Sequence, residues 1–153
     1  MFKEEYGNLV TGNYPIICQQ VNCKGVMGSG LAKAIREKYP EVYSGYKIFI
    51  SAAEMFNDTL LGSINVVHLH DNRHCVNMFA QDSYGRDGKQ YTDYNAFANC
   101  LRELEMVLPQ KKGIVAFPYL IGCGLGGGDW GVVKEMIEIF SLKIAQDVVI
   151  VRI

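Results

Sequence analysis

The stretch Ile16-Ile17-Cys18-Gln19-Gln20-Val21-Asn22-Cys23-Lys24-Gly25-Val26-Met27-Gly28-Ser29-Gly30-Leu31-Ala32 decides the fold. A short run, Ile16 to Val21, has strand length and ends at Asn22. A glycine cluster follows, and Leu31, Ala34, Ile35 and Tyr39 then recur at helical spacing until Pro40 stops the helix. Strand, glycine loop and helix in that order are the parts of a parallel α/β unit, whose ligands bind at the carboxyl ends of strands.

The same order returns near the C-terminus. Gly113 to Pro118 is a continuous strand-length apolar run of the kind buried on both faces. Ile121 to Gly128 is a second glycine cluster, and Val133, Met136, Ile137 and Phe140 line a helix. Between the two units, Ser63–Leu69 and His74–Ala80 are β-rich and separated by Asp71-Asn72-Arg73, as in a hairpin or neighbouring strands. Tyr94, Phe97, Leu101, Leu104 and Leu108 mark a helix that ends at Pro109. Val148 to Ile153 closes the chain as a strand. This alternation predicts a three-layer α/β/α fold with a mixed central sheet, in one domain spanning residues 1–153.

Composition narrows the function. Fifteen Lys and Arg against sixteen Asp and Glu leave a net charge of −1, so the field that gathers nucleic acid or anionic membrane is missing. The long uncharged stretch Gly113 to Gly128 is broken by Pro118 and glycines, so no membrane span is expected. Met-Phe-Lys-Glu-Glu does not read as a signal peptide, and the expected compartment is the cytoplasm. The five cysteines, at 18, 23, 75, 100 and 123, lack the spacing of a zinc ribbon or disulfide scaffold and read as free thiols.

Nine of the sixteen glycines lie in Gly25–Gly30 and Gly122–Gly131. Residues without Cβ let backbone N–H groups converge on one point, which makes an anion nest, and a following helix N-terminus adds further donors. Two nests suit a diphosphate. Gly122, Gly124 and Gly127 also satisfy G-x-G-x-x-G, but only twenty-six residues remain after Gly127, too few for a dinucleotide-binding βαβ unit with its acidic residue. No Gly-Lys-Ser/Thr follows either cluster, which excludes a P-loop.

The first loop, Val21 to Ala32, and the second, Tyr119-Leu120-Ile121-Gly122-Cys123-Gly124-Leu125-Gly126-Gly127-Gly128-Asp129-Trp130, together resemble the two ligand loops of macro domains. Tyr6-Gly7-Asn8-Leu9 and Asn77-Met78-Phe79-Ala80-Gln81 also find counterparts, so the resemblance spans nearly the whole chain. It is nearest the branch holding terminal ADP-ribose protein glycohydrolase, antitoxins that remove ADP-ribose from thymidine in DNA, and a yeast ADP-ribose 1″-phosphate phosphatase. The resemblance implies ADP-ribose or an ADP-ribosylated substrate as the ligand, with nucleic acid a partner only when so modified. It implies no cofactor and no metal; a monomer is expected.

By the same resemblance, Asn22, Gly25, Val26, Met27, Gly28 and Gly30 surround the distal ribose. Pro118, Ile121, Gly122, Cys123, Gly124, Leu125, Gly126 and Gly127 cradle the phosphates. Asn8 and Leu9 meet the adenine, with Asn8 in place of the family's aspartate and its amide oxygen expected to accept from the adenine amino group. Gln81 stands where the glycohydrolases of the branch keep a lysine, and Gly126 where the human enzyme has an aspartate. The lysine-adduct route is therefore absent.

The catalytic candidates are Asn22, Gln81 and Asp129, acting on the bond at the distal ribose C1″; the competing reading is a binding module without turnover. Asp129 reads more readily as a helix N-cap, a position Asp favours. Cys123 in the nest could be a nucleophile or merely pack beneath the loop. His68, His70 and His74 are close enough in sequence to suggest a metal, but no carboxylate completes a ligand spacing. Lys24, Lys33 and Arg36 form a local basic patch beside the first loop.

Overall fold

The computed structural model describes residues 1–153. Its strands are β1 (Phe2–Tyr6), β2 (Ile16–Asn22), β3 (Ile64–His68), β4 (His74–Gln81), β5 (Val115–Pro118) and β6 (Val148–Arg152). The helices are α1 (Gly30–Lys38), α2 (Pro40–Met55), α3 (Tyr94–Val107) and α4 (Trp130–Ser141). The strands form one six-stranded sheet in the order β1-β6-β5-β2-β4-β3. All neighbours run parallel except β3, which pairs antiparallel with β4 at one edge. The mixed sheet with helices on both faces is the architecture expected from the sequence.

Alternation along the strands builds two cores. Ile17 and Val21 of β2 pack under α1 and α2 with Tyr39, Val42, Tyr46 and Phe79, while Ile16 and Cys18 pack under α3 and α4 with Phe97, Leu104, Ile137 and Phe140. Both loops of interest leave the carboxyl ends of the central strands β2 and β5, which are hydrogen-bonded neighbours. The topology thus brings together two glycine clusters almost a hundred residues apart.

Two elements escape the sequence reading. Pro40 ends α1 but also starts α2 near its first position, where the missing N–H costs nothing and the fixed φ suits a helix. Strand β1 is read from the sequence only as a charged N-terminus. Its Phe2–Tyr6 register against Val148–Arg152 gives β6 a partner on its outer side.

One buried cation pins the segment between β1 and β2. Arg73, 9% exposed, donates to the carbonyls of Val10, Gly12 and Tyr14 and to the Tyr39 hydroxyl, and pairs with Asp71 at 3.2 Å. Burial pushes the Asp71 carboxyl up, but the Tyr39 hydroxyl and the Arg73 guanidinium outweigh it and hold the group below its usual range. The pair therefore contributes fully above about pH 4 and is lost as pH falls through the lowered folded value. Replacing Arg73 by Ala strands the Gly12 and Tyr14 carbonyls, leaves Val10 O to Lys38 alone, and is expected to cost about 3 kcal/mol in urea unfolding. Arg73→Lys should recover only a minor part, because a single ammonium cannot reach the positions of the guanidinium fork.

Candidate functional site

Asn22 ends β2 and shapes the first loop. Its Oδ1 accepts from Lys24 N at 3.0 Å, Val26 N at 3.4 Å and the Tyr46 hydroxyl at 2.9 Å, and its Nδ2 donates to Val26 O at 2.8 Å. The Tyr46 hydroxyl also accepts from Gly25 N at 3.1 Å. Burial pushes the Tyr46 phenol far above its ordinary range, so it stays protonated. Asn22 is thus principally the organiser of the loop, with one amide proton left for a ligand. Tyr46 lies on α2, the helix the sequence reading missed.

Beyond Val26 the loop turns its backbone outward. From Met27 to Ala32 no N–H has a partner within the chain, and Ser29, at the N-cap of α1, makes no capping bond. Its Oγ instead accepts from Arg86 at 2.6 Å. The first turn of α1 also carries no acidic residue. Such a terminus presents unpaired donors and the positive end of the helix dipole.

The second loop faces it. The N–H groups of Gly122, Gly124, Leu125 and Gly126 are likewise without partners, whereas those of Cys123, Gly127 and Gly128 close turns within the loop. The loop is hung on Thr92. Its Oγ1 donates to Gly122 O at 2.6 Å and accepts from Gln20 Nε2 at 2.7 Å, while Tyr91 N and Thr92 N both donate to Gly126 O. Gln20 Nε2 also donates to Gln81 Oε1 at 2.8 Å, and Gln81 Nε2 donates to Ser83 O at 2.8 Å. Gln81 is therefore held by its neighbours, with one amide proton left over.

The loops enclose a cleft of about 330 Å³. Of the expected residues, Asn22, Val26, Met27, Gly28, Gly30, Gln81, Pro118, Ile121, Gly122, Gly124, Leu125 and Gly126 line it. Gln19, Gln20, Tyr84, Tyr119 and Leu120 join them. Sequence reasoning passed over Gln19 and Gln20 because they read as interior strand positions, and over Thr92 because nothing local ties it to a loop thirty residues away. Pro118, Tyr119, Gly30 and Leu31 also border an adjoining slot of about 810 Å³ that contains Asn8 and Leu9. Both volumes fall in the usual range for small-molecule sites.

Four expected residues are placed elsewhere. Gly25 supplies a turn with φ +82° and lies against Lys47. Gly127, with φ +71°, closes the second loop and is packed against the backbone of Lys89 and Gln90. Cys123 packs against the α3/α4 core, and burial, with the nearby Asp129 charge, pushes its thiol up to about 11. That is the state of a packed thiol and not of a nucleophile at neutral pH. Asp129 is the N-cap of α4: its Oδ1 accepts from Gly131 N at 2.8 Å and Val132 N at 3.4 Å, and it does not line the cleft. The N-terminus of α4 is thereby closed, so the expectation of an open helix end after each glycine cluster holds for α1 alone.

The Asn8 amide also differs from expectation. Its Oδ1 accepts from Val10 N at 2.9 Å and Thr11 N at 3.0 Å, which occupies both lone pairs. The group left to a ligand is Nδ2, a donor. The histidines disperse: His68 Nδ1 and His74 Nε2 are 3.3 Å apart, while His70 pairs with Glu41 at 2.6 Å. In the basic patch, Lys24 pairs with Asp82 at 3.3 Å and Arg36 lies 3.7 Å over the Tyr43 ring.

With this geometry in view, residues 18–137 match the family model described as Macro domain. The chain belongs to the macro domain family. A 17.5 kDa protein of Enterobacteria phage T4, from the tk-vs intergenic region, is 29% identical over 133 residues, covering 84% of this chain and 81% of the phage protein. A DNA ADP-ribosyl glycohydrolase of Mycobacterium tuberculosis is 28% identical over 133 residues; the match covers 84% of this chain but only 35% of that enzyme. The macrodomain of Mycobacterium tuberculosis DarG superposes with a TM-score of 0.82 at 22% identity, covering 99% of this chain and 97% of that one. Thermosipho africanus DarTG, solved with ADP-ribose, gives 0.73 at 21% identity over 96% of this chain and 40% of that one.

In this macro domain the second loop is intolerant of bulk at one lining position. A Cβ on Gly126 would sit 2.6 Å from Thr92 Oγ1 and 2.7 Å from Gly122 O. Gly126→Val should displace the loop and weaken ADP-ribose binding by roughly tenfold or more, since each misaimed donor forfeits a charge-assisted bond. Calorimetric titration measures the loss, and an unchanged far-UV spectrum shows that it is local.

Proposed function

We infer that this macro domain binds ADP-ribose in the cleft and hydrolyses the bond at the distal ribose C1″ of an ADP-ribosylated macromolecule or of ADP-ribose 1″-phosphate. The observation that carries this reading is the set of ten unpartnered backbone N–H groups, six on Met27–Ala32 and four on the facing loop. A diphosphate laid between them would meet donors from both sides, with the dipole of α1 adding to the attraction. The distal ribose then falls between the first loop and Gln81. The similarity to a DNA ADP-ribosyl glycohydrolase supports removal of ADP-ribose as the reaction class.

The cleft is lined by no carboxylate, lysine or histidine. Hydrolysis there works by holding ribose and water in place and by stabilising developing charge with fixed N–H dipoles, the substrate's own phosphate serving as base. The remaining protons on Asn22 Nδ2 and Gln81 Nε2 are donors to ribose hydroxyls or to water. The same lining favours a second reading, an ADP-ribose-binding module without turnover.

Calorimetry with ADP-ribose, followed by incubation with ADP-ribosylated DNA, ADP-ribosylated protein and ADP-ribose 1″-phosphate, separates the two. Turnover of one of these establishes a hydrolase, and binding alone establishes the module. For ADP-ribosylated DNA, kcat should show no inflection between about pH 6 and 9, because no carboxylate, lysine or histidine lines the cleft. A sharp bell centred near neutrality would require an enzyme acid or base and would exclude the substrate-assisted route.

A further inference from the structure

The slot beside the cleft has an apolar floor and a small polar edge. Leu9 and Val10 are buried, and Arg152 forms part of the wall with its guanidinium 4.0 Å over the Tyr119 ring. A planar, mostly apolar group fits such walls, and a nucleobase attached to a diphosphate over the α1 N-terminus would enter here. What the slot offers that base in hydrogen bonds is less obvious. Asn8 can only donate, since its oxygen is taken by Val10 N and Thr11 N. Lys38 donates to Val10 O, and Arg152 is a cation with no acceptor. Thr11 supplies one hydroxyl. Glu37 supplies the slot's single side-chain carboxylate, and it makes no ion pair or hydrogen bond within the chain although Lys33 and Lys38 are near in sequence.

Resting on the ADP-ribose reading above, we propose that Glu37 selects the base. Its carboxylate accepts from the 6-amino group of adenine while Asn8 Nδ2 donates to the adjacent ring nitrogen. Adenine presents this pattern, an amino donor beside a ring-nitrogen acceptor, and a 6-oxo purine reverses it at the same two positions. A carboxylate facing the 6-oxygen and an amide N–H facing the protonated ring nitrogen are both repulsive, so Glu37 supplies one part of the discrimination and Asn8 the other. The assignment moves the acceptor from the loop after β1 to the exposed face of α1.

The test compares ADP-ribose with inosine diphosphate ribose, which differs only at the base edge. The wild-type protein should prefer ADP-ribose by roughly a hundredfold, about tenfold from each of two mismatched contacts. Glu37→Gln, whose amide can rotate to donate to the 6-oxygen, should cut the ratio to roughly tenfold, the share of Asn8, with thermal stability unchanged. Removing a negative charge near the diphosphate alters both affinities alike, so the ratio isolates base reading from charge. Asn8→Asp should weaken ADP-ribose binding by placing a second carboxylate at the same edge. An ADP-ribose preference undiminished by Glu37→Gln, or tighter ADP-ribose binding by Asn8→Asp, overturns the proposal while leaving the ADP-ribose reading intact. Failure of the wild-type protein to bind either nucleotide overturns that reading and this proposal with it.

Discussion

A backbone N–H withdrawn from water must find a partner, and most of this structure consists of ways to supply one. Where ladders end, side chains take over: Asp93 caps α3, Asp129 caps α4, and the Asn22 oxygen collects the first N–H groups of the first loop. From Met27 to Ala32 and at four positions of the facing loop the supply stops. The ten residues that carry these unpaired donors all line one concave surface, and the proposed affinity of the cleft for an anion rests on that deficit.

Leaving donors open requires that everything around them be fixed. Tyr46 reaches from α2 to hold Asn22 and Gly25, and Thr92 reaches from the segment before α3 to hold Gly122. Gln20 joins Thr92 to Gln81 across the strand ends, so the second loop and the segments after β4 and before α3 share one hydrogen-bond network. Each of these groups is polar and at least partly withdrawn from water, and their hydrogen bonds run mainly to loop backbone or to one another, with Gln20 Oε1 left without a partner. Their role is to give otherwise permissive glycine segments a single shape.

The fold was legible because its signals are local. Periodicity marked five strands and three of the helices, and the repeat of strand, glycine loop and helix placed both loops at carboxyl ends of a parallel sheet. α2 was not, because one proline serves as the end of one helix and the start of the next. β1 was not, because five residues with three charges among them become a strand only when β6 is alongside. At the site, glycines of both clusters line the cleft, but the side chains were harder to assign. Asn22 and Asn8 read as ligand contacts, and both prove to spend their oxygens on backbone; Asp129 read as either chemistry or cap and is the cap. A side chain's remaining hydrogen-bonding capacity depends on neighbours that folding supplies, among them Tyr46, Thr92 and the Val10 and Thr11 amides.

The neutrality of the cleft has a kinetic consequence. Ten N–H dipoles act over a few ångströms, whereas lysines and arginines act over a Debye length, and this chain carries a net charge of −1. A polyanion at a distance therefore feels little pull, and a phosphate seated between the loops feels all of it. Encounter is governed by diffusion and fit with slight dependence on ionic strength, and an unmodified polyanion has no means of competing through charge alone for a surface whose attraction begins only at contact.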